Sequence, residues 1–69
     1  RLVVDRTGTD LGHLTDIHFD LKTGAISELV VTVEATVNAA ALPFESRENT
    51  VMIPVDAVSR VATKIHLNR

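Results

Sequence analysis

Three histidines, a scatter of carboxylates and three serines are the residues of this chain whose types could do chemistry. His13 and His18 lie five apart in a stretch that reads as a β-strand. An odd spacing there sets side chains on opposite faces unless a bulge intervenes. A metal centre needs convergent ligands, such as His-x-x-x-His or paired cysteines, and the chain has neither. His13, His18 and His66 are therefore expected on solvent-facing strand positions, with no metal. Asp16 falls where the strand has to bend, and its carboxylate is expected to accept backbone amides at a bulge. Asp10, Asp20 and Asp56 read as turn formers or helix caps. Two carboxylates about 5–10 Å apart can make a glycosidase pair, but so short a chain offers no cleft for a sugar. Ser27, Ser46 and Ser59 lack the Gly-x-Ser-x-Gly context of an activated nucleophile. Gly8, Gly12 and Gly24 do not follow the strand–loop–helix order of a phosphate-binding loop. The expectation is a protein with no catalytic residue and no cofactor.

The elements that would position these residues are strands. Leu2–Asp5 is short and β-branched, and a turn centred on Gly8 follows. Leu11–Phe19 is a longer strand whose apolar residues, Leu11, Leu14, Ile17 and Phe19, do not keep one parity. A bulge or bend between Gly12 and Asp16 accounts for that break. Asp20 to Gly24 is a turn in which Asp20 accepts amides two residues on and Gly24 takes positive φ. Ile26–Glu34 is the clearest strand: Leu29, Val31 and Val33 face the core, while Glu28, Val30, Thr32 and Glu34 lie nearer water. Ala35–Ala41 reads as a loop with about one helical turn. Leu42–Ser46 alternates again, and Pro43 confines it to a sheet edge. After a hairpin turn at Arg47–Asn49 comes Thr50–Pro54, which Pro54 stops. Val55–Ala57 then makes a tight helical turn, and Lys64–Leu67 forms the sixth and last strand. Short strands separated by turns predict an all-β fold in a single domain over residues 1–69, a small, mostly antiparallel barrel whose closure removes exposed edges.

Size and charge narrow the function. A domain of 69 residues hides only about 60% of the surface of its unfolded chain, so it calls for extra support. No cysteine is present, which removes disulfides and thiolate zinc sites as that support, and fits a cytoplasmic setting. Association with another copy or another protein is the expected remedy. Seven basic and nine acidic residues give a net charge of −2, without a basic stripe. Tyrosine and tryptophan are absent and phenylalanine occurs twice. A nucleic-acid partner is not expected, because phosphate binding needs clustered cations and base stacking needs aromatic platforms. Membrane insertion is not expected either, since a spanning helix needs about 18 or more consecutive apolar residues. The opening residues form no secretory leader, and the start at Arg1 rather than methionine leaves room for residues upstream.

Leu11-Gly12-His13-Leu14-Thr15-Asp16-Ile17-His18-Phe19-Asp20, Thr23-Gly24-Ala25-Ile26 and Glu28-Leu29-Val30-Val31 together resemble the PRC-barrel family, named for the H subunit of the photosynthetic reaction centre. The second half agrees, with Val51-Met52-Ile53-Pro54-Val55-Asp56-Ala57-Val58, then Val61 and Lys64-Ile65-His66-Leu67. The likeness covers nearly the whole chain and is weakest over Ala35–Ser46. One departure is Ala62-Thr63, where family members commonly carry Gly-Asp before the last strand. Such barrels occur in the reaction-centre subunit, in a ribosome-maturation factor that docks on a ribosomal protein, and as short stand-alone proteins widespread in archaea. The Asp-x-x-Thr-Gly turn is similar to that of the stand-alone group.

The resemblance implies a six-stranded PRC-type barrel acting as a non-catalytic, dimeric adaptor. Its implied setting is archaeal cell division, in the cytoplasm and at the division site. There such proteins pair with a sister PRC-barrel protein or bind the membrane-linked anchor of the tubulin-like division ring. The ribosome-maturation and reaction-centre roles are the alternatives. In this chain the candidate interface residues are apolar side chains on faces expected to be exposed: Val30, Leu42, Phe44 and Met52. Leu42 and Phe44 have the competing assignment of completing the core. Gly8, Gly12, Asp16, Asp20, Gly24 and Pro54 are assigned structural roles at turns, bulges and strand ends.

Overall fold

A computed structural model describes residues 1–69 as seven strands and two 3-10 turns. The strands are β1 (Leu2–Val4), β2 (Asp10–Phe19), β3 (Ile26–Val33), β4 (Glu45–Arg47), β5 (Thr50–Pro54), β6 (Val58–Val61) and β7 (Ile65–Leu67). One 3-10 turn, Ala39–Ala41, precedes β4, and the other, Val55–Ala57, joins β5 to β6. All seven strands form one sheet in the order β4-β5-β3-β2-β1-β7-β6. Neighbours are antiparallel except β1 and β7, which run parallel.

The all-β class holds, but two expectations need correction. The strands number seven rather than six, and the sheet is curled but not closed, with β4 and β6 as free edges. Both differences arise around β6. Its apolar residues Val58 and Val61 are three apart, which hides a strand from any test of period two. The pairing explains the spacing: Val58 faces Leu67 and Arg60 faces His66, so Ser59 is an extra, bulged residue. Upstream, Pro54 ends β5, and the Val55–Ala57 turn carries the chain away to bond with β7 alone.

Period three recurs in β2 for the same reason. Leu14 faces Val31 and Asp16 faces Val30, leaving Thr15 as the extra residue in the pairing with β3. Against β1, Gly12 faces Val3 and Asp10 faces Val4, so Leu11 is extra there. Each bulge resets parity, which lets Leu11, Leu14 and Ile17 all turn inward.

The core lies on the concave side. Leu29, Val31 and Val33 of β3 are buried, with Leu29 opposite Ile53 and Val31 opposite Val51 on β5. Val3, Ile65 and Leu67 close it from the other arm of the sheet. Burying each such side chain contributes about 1.5–3 kcal/mol.

The stretch Leu42–Ser46 also differs from expectation, because only Glu45–Arg47 is strand. Pro43 has no N–H to donate to a ladder, and Leu42 and Phe44 turn in to pack on the core. One helical turn was expected before this segment and one after β5; the first is the short Ala39–Ala41 turn, whose Ala40 amide donates to Asn38 Oδ1 at 3.1 Å.

At about 3.3 Å per residue, the ten residues of β2 span roughly 33 Å, close to the 37 Å length of the whole molecule. The β2–β3 hairpin therefore projects beyond the core. Its turn is tied by the Lys22 amide donating to Asp20 Oδ1 at 2.8 Å, while Gly24 takes φ 73°.

Candidate functional site

The polar side chains are largely engaged in local structure. Asp5 Oδ1 accepts from the Thr7 hydroxyl at 2.6 Å, the Thr7 amide at 2.9 Å and the Thr9 amide at 3.0 Å. The turn they close carries Gly8 at φ 87°. The Thr7 hydroxyl, with help from the Thr9, Thr7 and Gly8 amides and against some desolvation, holds the Asp5 carboxyl below its ordinary value of 3.8. Asp16, next to the Thr15 bulge, accepts from the Ile17 amide at 2.8 Å. Ser27 and Ser59 donate to the His18 and His66 carbonyls, at 3.1 and 3.0 Å. Asp10 meets Lys64 at 3.5 Å, and the Asp56 carbonyl accepts from the Asn68 side-chain amide at 2.9 Å.

Each histidine has a distinct place. His18 Nδ1 lies 2.8 Å from Glu28 Oε1, its cross-strand neighbour on the outer face. Ser46 lines the same shallow depression of about 340 Å³. Ser46 faces inward-pointing Val51 across β4–β5, so its side chain shares the opposite sheet face from Glu28 and does not complete a triad. His66 accepts from Arg60 Nη2 at 3.2 Å when its Nε2 is unprotonated. His13 stands exposed on β2 opposite Thr32. No three His, Cys, Asp or Glu side chains are gathered where they could hold one metal ion.

The four candidate interface residues separate into two pairs. Val30 and Met52 are direct cross-strand neighbours, half-buried on the outer face. Leu42 and Phe44 pack against the core from the other side, and the Arg69 guanidinium lies 5.9 Å from the Phe44 ring centre. They do not join into one patch. Gly12 is buried inside β2 between Val3 and Val33. Pro54 is the last residue of β5 and leads into the 3-10 turn.

The exposed apolar surface lies elsewhere, where the sheet fails to close. A groove of about 270 Å³ runs between the β2–β3 hairpin and β6, and Arg1 is its one lining residue that is not hydrophobic. Leu14 and Ile17 form part of one wall and Ile26 and Leu29 extend it, while Val58 and Val61 stand opposite. Val61 is 59% exposed and Val55 45%. Beside Ile26, its pairing partner Phe19 is 58% exposed, and Leu21 at the hairpin tip is 97% exposed. The sequence marks Phe19 only as the last apolar residue of its strand and does not single out Leu21. The available signal was position: both flank a turn at the end of a strand too long for the core beneath it.

No helix is long and apolar enough to cross a membrane. No curated protein matches the chain. The family model described as the PRC-barrel domain matches residues 1–69. A match over its full length, on a curled all-β sheet with bulges in β2 and β6, means that the chain belongs to the PRC-barrel domain family.

Proposed function

We propose that this chain is a non-catalytic protein–protein interaction module. The observation that carries the reading is the apolar groove at the open seam, rimmed by exposed Val55 and Val61 and continued by Phe19. In so small a domain, a contiguous apolar surface is costly to leave in water and is the usual mark of a partner site. The engagement of Asp5, Asp16, Asp20, Ser27 and Ser59 in turns and bulges supports the non-catalytic part.

The setting we favour rests on the family resemblance. The module acts as a dimeric cytoplasmic adaptor in archaeal cell division, binding the membrane-linked anchor of the tubulin-like ring or a sister PRC-barrel protein. Affinity capture from the native cell, read by mass spectrometry, tests it. Recovery of division-ring proteins is the expected result; recovery of ribosomal proteins instead overturns the setting in favour of ribosome maturation. Light scattering on the purified chain tests the dimer, which a monomer up to high micromolar concentration overturns.

A further inference from the structure

β6 separates two surfaces of opposite character. Its outer edge is free, because β6 bonds only to β7. The Ser59 bulge, fixed by the Ser59 hydroxyl donating to the His66 carbonyl at 3.0 Å, puts Ser59 and Arg60 on one side of the strand and leaves Val58 and Val61 on the other. Val58 and Val61 turn into the apolar groove. Ser59 and Arg60 line a wide, open polar depression of about 700 Å³ on the other side, together with Arg6 and His66.

That depression is short of negative charge. The ion pairs in the chain are His18–Glu28 and Lys64–Asp10, so neither Arg6 nor Arg60 has a carboxylate within pairing distance. Asp5 also lines it, so one carboxylate stands there against the two guanidinium groups of Arg6 and Arg60, and its Oδ1 is turned to three hydrogen bonds from Thr7 and Thr9. Arg60 spends one donor on His66 and keeps the rest of its guanidinium free.

The opposite edge, β4, is built differently. Its three residues are all exposed and include Glu45 and Arg47, the short, charged pattern that discourages strand addition. β6 has one charged residue, Arg60, on an edge bordered by apolar surface. Antiparallel pairing of β6 with a second copy of itself would bring two Arg60 side chains together without a carboxylate, which disfavours that occupant.

Resting on the interaction-module reading, we propose that β6 is the docking edge for an extended segment of a partner protein in which apolar residues alternate with Asp or Glu. The segment adds to the sheet as an eighth strand. Its backbone pairs with the β6 edge, and every second side chain fills the groove beside Val58 and Val61. The intervening carboxylates meet Arg60 and Arg6. A strand's period of two matches this division of surfaces.

The test uses the full chain and two labelled seven-residue peptides, one alternating Val with Glu and the other Val with Lys. Binding is followed by anisotropy and by backbone amide shifts. The Val–Glu peptide is expected to bind about tenfold or more tighter, with the largest shifts at Val58–Val61. R60E is expected to reverse that preference; Arg60 is exposed, and its amide spectrum serves as the check on folding. Should R60E fail to fold, R60Q is expected to lose the preference without reversing it. Equal affinity for both peptides, no binding of either, or shifts that spare β6 overturns the proposal. The interaction-module reading survives those outcomes and falls only if the chain captures no protein from its own cell.

Discussion

The backbone of Gly12 on β2 lies so close to that of Thr32 on β3 that a Cβ at position 12 would stand 2.0 Å from the Thr32 carbonyl oxygen. It would also meet the Val33 Cα at 2.7 Å. Both obstacles are main chain of β3, held in the ladder at the end of the longest strand pair, so neither can rotate aside.

Gly12→Ala is therefore expected to destabilise the domain by about 3 kcal/mol, the upper end of the usual overpacking penalty. Gly24→Ala provides the contrast: nothing lies within 4 Å of its missing Cβ, and only its φ of 73° opposes a side chain. That change is expected to cost about 1 kcal/mol. Urea denaturation of the two variants beside the parent chain checks both values, and equal losses would refute the close-approach argument.

Glu48 is the one residue other than glycine with positive φ, at 57° in the β4–β5 turn. A left-handed L-residue costs about 1–2 kcal/mol, and glycine's added chain entropy takes back about 0.5–1. Glu48→Gly is expected to raise stability by roughly 0.5–1 kcal/mol. A lowered denaturation midpoint would show that the Glu48 side chain matters more than its backbone.

Asp5 gives the domain a pH dependence of definite sign. Its carboxyl is held below 3.8 when folded, mainly by the Thr7 hydroxyl, so the folded state favours the ionised form. The resulting stability is present above the unfolded value and lost as pH falls through the lower, folded one. Asp5→Asn is expected to be less stable than the parent near neutral pH, with the gap narrowing as pH drops below 3.8. Thermal melts across that range test it, and a gap that widens in acid is the opposing result.

The two sides of the sheet should respond unequally to truncation. Ile53 is wholly buried, so Ile53→Ala is expected to cost about 2–5 kcal/mol, enough to unfold much of a domain this small. Val30→Ala, on the half-buried outer face, is expected to cost about 1 kcal/mol or less. Chemical denaturation distinguishes them, and a Val30 loss as large as that of Ile53 would mean the outer face is a second core.

Much of this architecture is legible along the chain. Alternation in Leu29, Val31 and Val33, the turn at Asp20 to Gly24, and the stop at Pro54 are each encoded within a few residues. Local backbone preferences and side-chain periodicity act over that distance, so they establish an all-β chain and most of its strand positions. The PRC-barrel pattern is likewise readable, because its turns and strands follow one another in fixed order.

The bulges, the seventh strand and the open seam are different in kind. Ser59 is an extra residue only relative to β7, so it cannot be recognised until that strand is in place. The broken period of β2 does announce a bend between Gly12 and Asp16, but only the pairing with β3 assigns the extra residue to Thr15. The same holds for the groove, whose walls come from residues 14 to 29 and 55 to 65. Sequence supplies the apolar side chains. Which of them find a core partner, and which stay at the seam as Val61 and Phe19 do, is decided by pairing between distant segments, since closure depends on register and chain path.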